Sequence, residues 1–103
     1  PATEMVRAGP LFLDRTRYQA VLSAPDGTER EVSLTPTEFE ILAALAAQPG
    51  RVFSRAQLLT VARGISFESY ERAIDSHIRN LRRKLEPAEL IVTVHGVGYK
   101  FEG

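Results

Sequence analysis

The amino-acid sequence predicts a single α+β domain in which a small antiparallel sheet precedes three helices and a β-hairpin. Short apolar and alternating segments separated by turns occupy residues 11–34, three segments with helical signals follow over residues 35–85, and a hairpin pattern closes the chain. With 103 residues, of which 44% are hydrophobic and 25% charged, the chain has the composition of one globular domain.

The N-terminal residues predict a linker followed by short strands. Residues 1–10 lack a clear periodicity and end in a Gly-Pro pair, so they are assigned to a linker and residues 11–103 to the domain. Because the chain begins with Pro1 rather than Met, we expect it to be a piece of a longer protein. A turn is predicted at Ala24–Gly27. The strands are expected at Leu11–Leu13, Tyr18–Leu22 and Glu31–Leu34.

Two segments carry the sequence signature of a helix N-terminus known as the capping box. In Thr35–Glu38 and in Ser54–Gln57 a hydroxyl residue precedes a Glu or Gln by three positions, so that each side chain can accept from the other's backbone N–H. The first helix is expected to stop before Pro49 and the second near Gly64. The residues of this region assigned to the core are Phe39, Leu42, Leu45 and Phe53.

The third predicted helix, Tyr70–Leu85, is the most informative segment of the chain. At about 100° per residue its apolar side chains form one narrow stripe of Ile74, Ile78, Leu81 and Leu85. The opposite stripe carries only arginine and short hydrogen-bonding side chains: Arg72, Ser76, Arg79, Asn80 and Arg83. The acids Glu71 and Asp75 lie off that stripe. Because these side chains read base edges and contact phosphates in a major groove, the segment is predicted to be a DNA-recognition helix.

The net charge is zero, but the charges are distributed unevenly. Residues 51–85 carry eight basic and three acidic residues, a net of +5, whereas residues 1–50 and 86–103 have net charges of −3 and −2. The local field decides where a phosphate backbone docks, so the basic middle of the chain is compatible with nucleic-acid binding.

The C-terminal segment predicts a β-hairpin. Leu90–Val94 and Tyr99–Phe101 have strand composition, and His95–Gly98 between them contains two glycines suited to a turn. Two helices joined by a turn and followed by a hairpin make a winged helix-turn-helix, in which the hairpin is the wing. The predicted fold is therefore α+β, with an N-terminal antiparallel sheet, a three-helix core and a C-terminal β-hairpin wing.

Several function classes are disfavoured by the composition. The chain has no cysteine and only two histidines, so neither disulfides nor a metal site is expected, and no cofactor is predicted. An enzyme is not expected, because Asp75, Ser76 and His77 occupy consecutive helix positions that do not face one another. No apolar run is long enough to span a bilayer, so no membrane partner is expected, and we expect a cytoplasmic protein.

Four motifs in a fixed order resemble a known family. They are LTPTEFEIL (Leu34–Leu42), PGRVFSRAQLL (Pro49–Leu59), RAIDSHIRNLRRKL (Arg72–Leu85) and TVHGVGYKF (Thr93–Phe101). Through them, residues 11–102 resemble the C-terminal effector domains of OmpR/PhoB-type two-component response regulators. The resemblance implies a four-stranded N-terminal sheet and an upstream receiver domain, phosphorylated on an aspartate, that is not part of this chain.

The resemblance also implies how such a domain binds its partners. The third helix enters the major groove, the wing reaches the adjacent minor groove, and two copies bind tandem repeats of double-stranded DNA head to tail. The isolated domain is expected to be monomeric, because the usual dimerising domain is the receiver. The loop between the second and third helices contacts RNA polymerase, and here it comprises Arg63, Gly64, Ile65, Ser66, Phe67, Glu68 and Ser69.

Two positions depart from the family pattern. Arg63 stands where the family often has a Trp that packs against a DNA phosphate, so a charged contact would take its place. His95 stands where the wing often has an Arg. A neutral imidazole should attract the minor groove less at pH 7 than a guanidinium does, and more as the pH falls through the histidine range.

The predicted DNA contacts fall into three groups. Base readout is assigned to the opposite stripe of the third helix: Arg72, Ser76, Arg79, Asn80 and Arg83. Backbone contacts are assigned to Thr35, Thr37, Ser54, Arg55, Arg63, Arg82, Thr93, Tyr99 and Lys100. The wing residues expected in the minor groove are His95, Gly96 and Val97.

Some of these residues have alternative roles. Arg82, like Lys84, either contacts phosphate or only keeps the surface soluble. Tyr99 either touches the DNA backbone or packs as a core ring. Asp75 is expected to pair with a nearby arginine and so fix the helix.

The leading functional hypothesis is sequence-specific binding of double-stranded DNA by the effector domain of a bacterial two-component response regulator. The alternative is a winged-helix protein-interaction module whose basic face docks on an acidic partner. That module would show little preference between a cognate duplex and a scrambled one.

Overall fold

The structure, a computed structural model, describes residues 4–62 and 71–103. Its strands are β1 (Met5–Ala8), β2 (Leu11–Asp14), β3 (Gln19–Ser23), β4 (Glu29–Val32), β5 (Ile91–Val94) and β6 (Gly98–Phe101). Its helices are α1 (Pro36–Ala47), α2 (Arg55–Ala62) and α3 (Glu71–Leu85). The order of sheet, three helices and hairpin confirms the predicted α+β architecture.

The N-terminal sheet is an antiparallel meander in the order β1-β2-β3-β4. Its first strand lies inside the segment assigned from the residues to a linker, so that assignment is wrong for Met5–Ala8. Val6 and Ala8 point inward and pair with Leu13 and Leu11 of β2. A four-residue strand with two inward side chains gives too short an alternation to be recognised in the sequence.

The turn before β4 sets the register of that strand. As predicted, Ala24–Gly27 is a turn, with the Gly27 N–H donating to the Ala24 carbonyl at 2.9 Å and a φ of +91° at Gly27. The turn brings Glu29 opposite Ser23, so β4 begins two residues earlier than expected and ends at Val32.

Both predicted capping boxes form. The Thr35 hydroxyl accepts from the Glu38 N–H at 3.1 Å, and the Glu38 carboxylate accepts from the Thr35 N–H at 2.9 Å. At α2 the Ser54 hydroxyl accepts from the Gln57 N–H at 3.1 Å, and the Gln57 amide oxygen accepts from the Ser54 N–H at 2.9 Å. These bonds satisfy backbone donors that a helix leaves unpaired in its first turn.

The core lies between the meander and the helices, with α1 at its centre. The apolar stripe of α3 is fully buried, as are the core residues predicted on and beside α1. The wing is joined to the segment before α2 by a pair of backbone bonds between Phe53 and Tyr99, of 2.8 and 2.9 Å. Gly98 makes this approach possible, since a Cβ there would lie 1.9 Å from the Phe53 carbonyl oxygen. The shared core and these backbone bonds therefore hold the wing, the start of α2 and α3 together.

Candidate nucleic-acid interface

The face of α3 opposite the core presents all five residues predicted to read bases. Asn80 is partly exposed, and the other four are exposed. The Arg83 guanidinium lies 3.4 Å from the Asn80 Oδ1. Within residues 4–62 and 71–103, no side chain forms a hydrogen bond or an ion pair with the guanidinium of Arg72 or Arg79. As far as the described part of the chain is concerned, these charged donors are therefore left for a ligand.

Arg82, on the flank of α3, is held within the domain. Its Nε donates to the Ile91 carbonyl at 3.1 Å, and its guanidinium donates to the Thr93 hydroxyl at 2.6 Å. The same guanidinium lies 5.6 Å from the centroid of the Tyr99 ring. Arg82 thus ties α3 to both strands of the wing.

The C-terminal end of α3 is held by two further cations. The Lys84 ammonium lies 2.6 Å from a carboxylate oxygen of Glu38, whose side chain is 3% exposed. Arg30, on β4, donates to the carbonyl oxygens of Lys84 and Glu86 at 2.9 and 2.8 Å. Burial opposes ionisation of Glu38, but the bonds from Lys84 and Thr35 outweigh it and lower the pKa of that carboxyl. Lys84 and Arg30 therefore hold this end of α3 in place, whereas Arg83 on the same turn is exposed.

Asp75 joins three elements through one carboxylate. Its Oδ2 lies 3.0 Å from the guanidinium of Arg55 on α2, which confirms the predicted pairing of Asp75 with an arginine. Its Oδ1 accepts from the Tyr99 hydroxyl on the wing at 2.6 Å. Burial, followed by this bond, raises the pKa of the Tyr99 hydroxyl above its ordinary value. The hydroxyl therefore remains a donor to Asp75 at neutral pH.

The start of α2, the start of α3 and the wing enclose one notch. Its lining includes Ser54, Arg55, Glu71, Asp75, His95 and Gly96. The wing tip projects beyond it, with His95 and Gly96 exposed and Val97 57% exposed. Gly96 takes a φ of +78°, which lets the tip turn tightly. The notch therefore combines donors from a helix N-terminus with both basic and acidic side chains.

The family model described as "Transcriptional regulatory protein, C terminal" matches residues 29–101. The chain belongs to this family. The match runs from β4 to β6 and confirms the resemblance to OmpR/PhoB-type effector domains drawn from the four motifs. It is a family of transcriptional regulators, in agreement with the prediction that the chain is not an enzyme.

Two similar bacterial regulators are much longer than this chain. The chain is 43% identical over 101 residues to the transcriptional regulatory protein BaeR of Escherichia coli O6:H1, covering 90% of this chain and 38% of BaeR. It is 47% identical over 78 residues to the transcriptional regulatory protein SrrA of Staphylococcus aureus, covering 71% of this chain and 32% of SrrA. The effector domain thus spans less than two fifths of the length of these relatives.

Solved structures resemble the effector domain over nearly its whole length. The DNA-binding domain of the response regulator AdeR, in complex with an intercistronic region, superimposes with a TM-score of 0.79 at 29% identity, covering 91% of this chain and 95% of that one. The Klebsiella pneumoniae RstA DNA-binding domain in complex with the RstA box superimposes with a TM-score of 0.77 at 29% identity, covering 95% of this chain and 96% of that one. These neighbours confirm the winged-helix fold.

Most residues predicted to contact the DNA backbone already have partners within the effector domain. Arg55 and Tyr99 bond to Asp75, Arg82 bonds to Thr93, and Lys100 pairs with Glu102 at 2.8 Å. Such bonds leave donors to spare on an arginine, so phosphate contact by these residues stays a prediction.

The remaining predicted contacts differ in accessibility. Thr35 is exposed and Ser54 is partly exposed, whereas Thr37 is 7% exposed and presents little surface. Arg63 and the rest of the predicted polymerase-contact loop, 63–69, lie outside the described residues. No helix among the described residues is long and apolar enough to cross a membrane.

The structural roles of Arg30, Arg82 and Lys84 were not predicted from the sequence. Lys84 and Glu38 are 46 positions apart, and Arg30 reaches a helix end 54 positions away. Local spacing carries no signal for such pairs. The Arg82–Thr93 separation of 11 positions is shorter but depends on how the wing folds back on α3.

Proposed function

We propose that this chain binds double-stranded DNA sequence-specifically, as the effector domain of a bacterial two-component response regulator. One observation carries the proposal. The structure separates the cations of α3 into Arg82 and Lys84, which hold the fold, and Arg72, Arg79 and Arg83, which point outward beside Ser76 and Asn80. Cations combined with short hydrogen-bonding side chains suit base edges better than they suit a generic acidic surface.

The geometry supports different roles in DNA binding for α3, the wing and the helix starts. The exposed face of α3 lies in the major groove and reads base edges, while the wing tip reaches the minor groove beside it. The N-terminus of α2 offers backbone donors, and Arg55 adds charge, so this helix start suits a phosphate contact, whereas the start of α1 adds the exposed Thr35 side chain. Backbone contacts set the register of the protein on the duplex, and α3 supplies the sequence preference.

The comparisons support the class of partner. Two similar domains were solved in complex with an intercistronic region and with the RstA box, which favours double-stranded DNA for this chain. The proposal further includes an upstream receiver domain, tandem binding of two copies, contact of loop 63–69 with RNA polymerase, and a cytoplasmic location. The isolated effector domain is proposed to be monomeric.

The test is selection from a random duplex library, followed by binding of the winning duplex and its scrambled version across a salt series. We expect a tandem motif and an affinity for the winner about a thousandfold or more above that for the scramble. Equal and steeply salt-dependent binding to both duplexes would contradict the proposal and favour the protein-interaction module.

A further inference from the structure

We infer that Asp75 is a positioning residue that sets the wing and the start of α2 against the base-reading face of α3, and that its charge also weakens binding to unrelated DNA. This inference rests on the proposed function. It concerns a residue that lies off the base-reading stripe and is not a predicted DNA contact.

Asp75 uses both of its carboxylate oxygens. Oδ2 holds Arg55 at 3.0 Å and Oδ1 holds the Tyr99 hydroxyl at 2.6 Å, so one side chain of α3 fixes one residue of α2 and one of the wing. Charge-assisted bonds of this length are directional and restrict the relative movement of the groups they join.

The contacts around Asp75 form a closed circuit. Tyr99 pairs through its backbone with Phe53, just before α2, and its ring lies beneath Arg82 of α3. Arg82 in turn holds Thr93 on the other strand of the wing. Three of the elements proposed to contact DNA, namely α2, α3 and the wing, are therefore joined to one another at the notch and do not depend on the core alone for their alignment.

The Arg55–Asp75 pair is poorly placed to stabilise the fold. The Arg55 and Asp75 side chains are 46% and 38% exposed, and ion pairs at such exposure add little to stability. The apolar stripe through which the core holds α3, made of Ile74, Ile78, Leu81 and Leu85, lies about a quarter turn around the helix from Asp75. Positioning is therefore the better explanation of the pair.

The charge of Asp75 also acts on the DNA itself. Asp75 and Glu71 both line the notch that phosphates would approach, and Asp75 neutralises Arg55 in the free domain. A negative charge at this place opposes any polyanion, whatever its sequence. Bases read correctly by α3 compensate for that repulsion, whereas an unrelated duplex does not.

The test uses three single variants of this chain, with the duplex selected from the random library and its scramble as probes. Asp75→Asn removes the charge and the Arg55 pair, Tyr99→Phe removes only the hydroxyl bond, and Glu71→Gln is the matched control. Glu71 lies one helical turn from Asp75, is exposed, and has no hydrogen-bond or ion-pair partner among residues 4–62 and 71–103. Thermal melts establish that each variant is folded.

We expect Asp75→Asn and Glu71→Gln to bind the scramble about twofold more tightly, the effect of removing one screened charge near a phosphate. The ratio of selected to scrambled affinity should fall about tenfold in Asp75→Asn and about threefold in Tyr99→Phe, within the range measured for coupled neighbours. In Glu71→Gln the ratio should stay that of the unmodified chain.

A ratio for Asp75→Asn equal to that for Glu71→Gln would overturn the inference, because Asp75 would then act only as a charge. An unchanged ratio in Tyr99→Phe would overturn the circuit even if Asp75→Asn failed to fold. Failure of the proposed function gives a different result, in which the unmodified chain itself does not discriminate between the two duplexes.

Discussion

Replacing Arg82 with Ala should unfold the domain more readily, although the residue lies on the helix proposed to read DNA. The change removes two charged hydrogen bonds, of 3.1 Å to Ile91 and 2.6 Å to Thr93, and a ring contact with Tyr99 at 5.6 Å. A hydrogen bond from a charged donor contributes about 1.5–3 kcal/mol, and an exposed cation–ring contact about 0.5–1 kcal/mol.

Arg82 is partly exposed and water can replace part of what is lost, so the full sum does not apply. We expect the free energy of unfolding to fall by about 2–3 kcal/mol. For a domain of this size that corresponds to a melting temperature lower by roughly 10–20 °C.

Arg79→Ala is the matched control, three positions away on the same helix. Arg79 is exposed and has no hydrogen-bond or ion-pair partner within the described part of the chain, so stability should change by less than about 0.5 kcal/mol. Binding to the selected duplex should weaken by about 1–3 kcal/mol, with relaxed preference at one base position.

The assay is a urea titration of each variant, paired with fluorescence anisotropy on the selected duplex and on single-base variants of it. If Arg82→Ala retained the stability of the unmodified chain and bound all duplexes equally less well, Arg82 would be a phosphate contact and the structural assignment would be wrong. If Arg79→Ala lost the same affinity on every duplex, base readout by Arg79 would be refuted.

Three further predictions concern stability. The pKa of Glu38 is lowered in the fold, so its contribution is present above the ordinary range near pH 4.5 and is lost as the pH falls through the folded value. Glu38→Gln should therefore cost about 1–3 kcal/mol at pH 7, because the charged bond from Lys84 is lost. The change should also flatten the acid side of the stability curve, and parallel curves would contradict the Lys84 pairing. Arg30→Ala should lower the free energy of unfolding, measured by chemical denaturation, by about 1–2 kcal/mol, because two carbonyls at the end of α3 lose their donor. Full stability in Arg30→Lys would argue against the two-carbonyl geometry. Gly98→Ala should lower the free energy of unfolding by about 3 kcal/mol, because the new Cβ would meet the Phe53 backbone. Gly96→Ala, in open space at positive φ, should lower it by about 1–2 kcal/mol. Equal melting temperatures of the two variants would refute the close approach of Gly98 to Phe53.

The features that the sequence predicted correctly depend on neighbours in the chain. Both capping boxes formed because a hydroxyl and a Glu or Gln three positions apart meet in any helix start. The two stripes of α3 followed from helical periodicity alone, and the turn at Ala24–Gly27 followed from its Pro and Gly.

The strand boundaries were less accessible to such reasoning. β1 was missed and β4 was displaced, because a strand of four residues is defined by its partner strand rather than by its own composition. Only the implied four-stranded sheet of the OmpR/PhoB family pointed to β1.

The sequence alone was enough to predict the starts of α1 and α2, the opposed faces of α3 and the membership of the effector-domain family. The tertiary structure decided which cations of α3 are available to a ligand. Arg79 and Arg82 have the same chemistry and lie one turn apart, yet one is exposed and the other bonds to the wing. The cause is physical, because a long charged side chain takes the partner that folding brings within reach, and here that partner lies on another element of the fold.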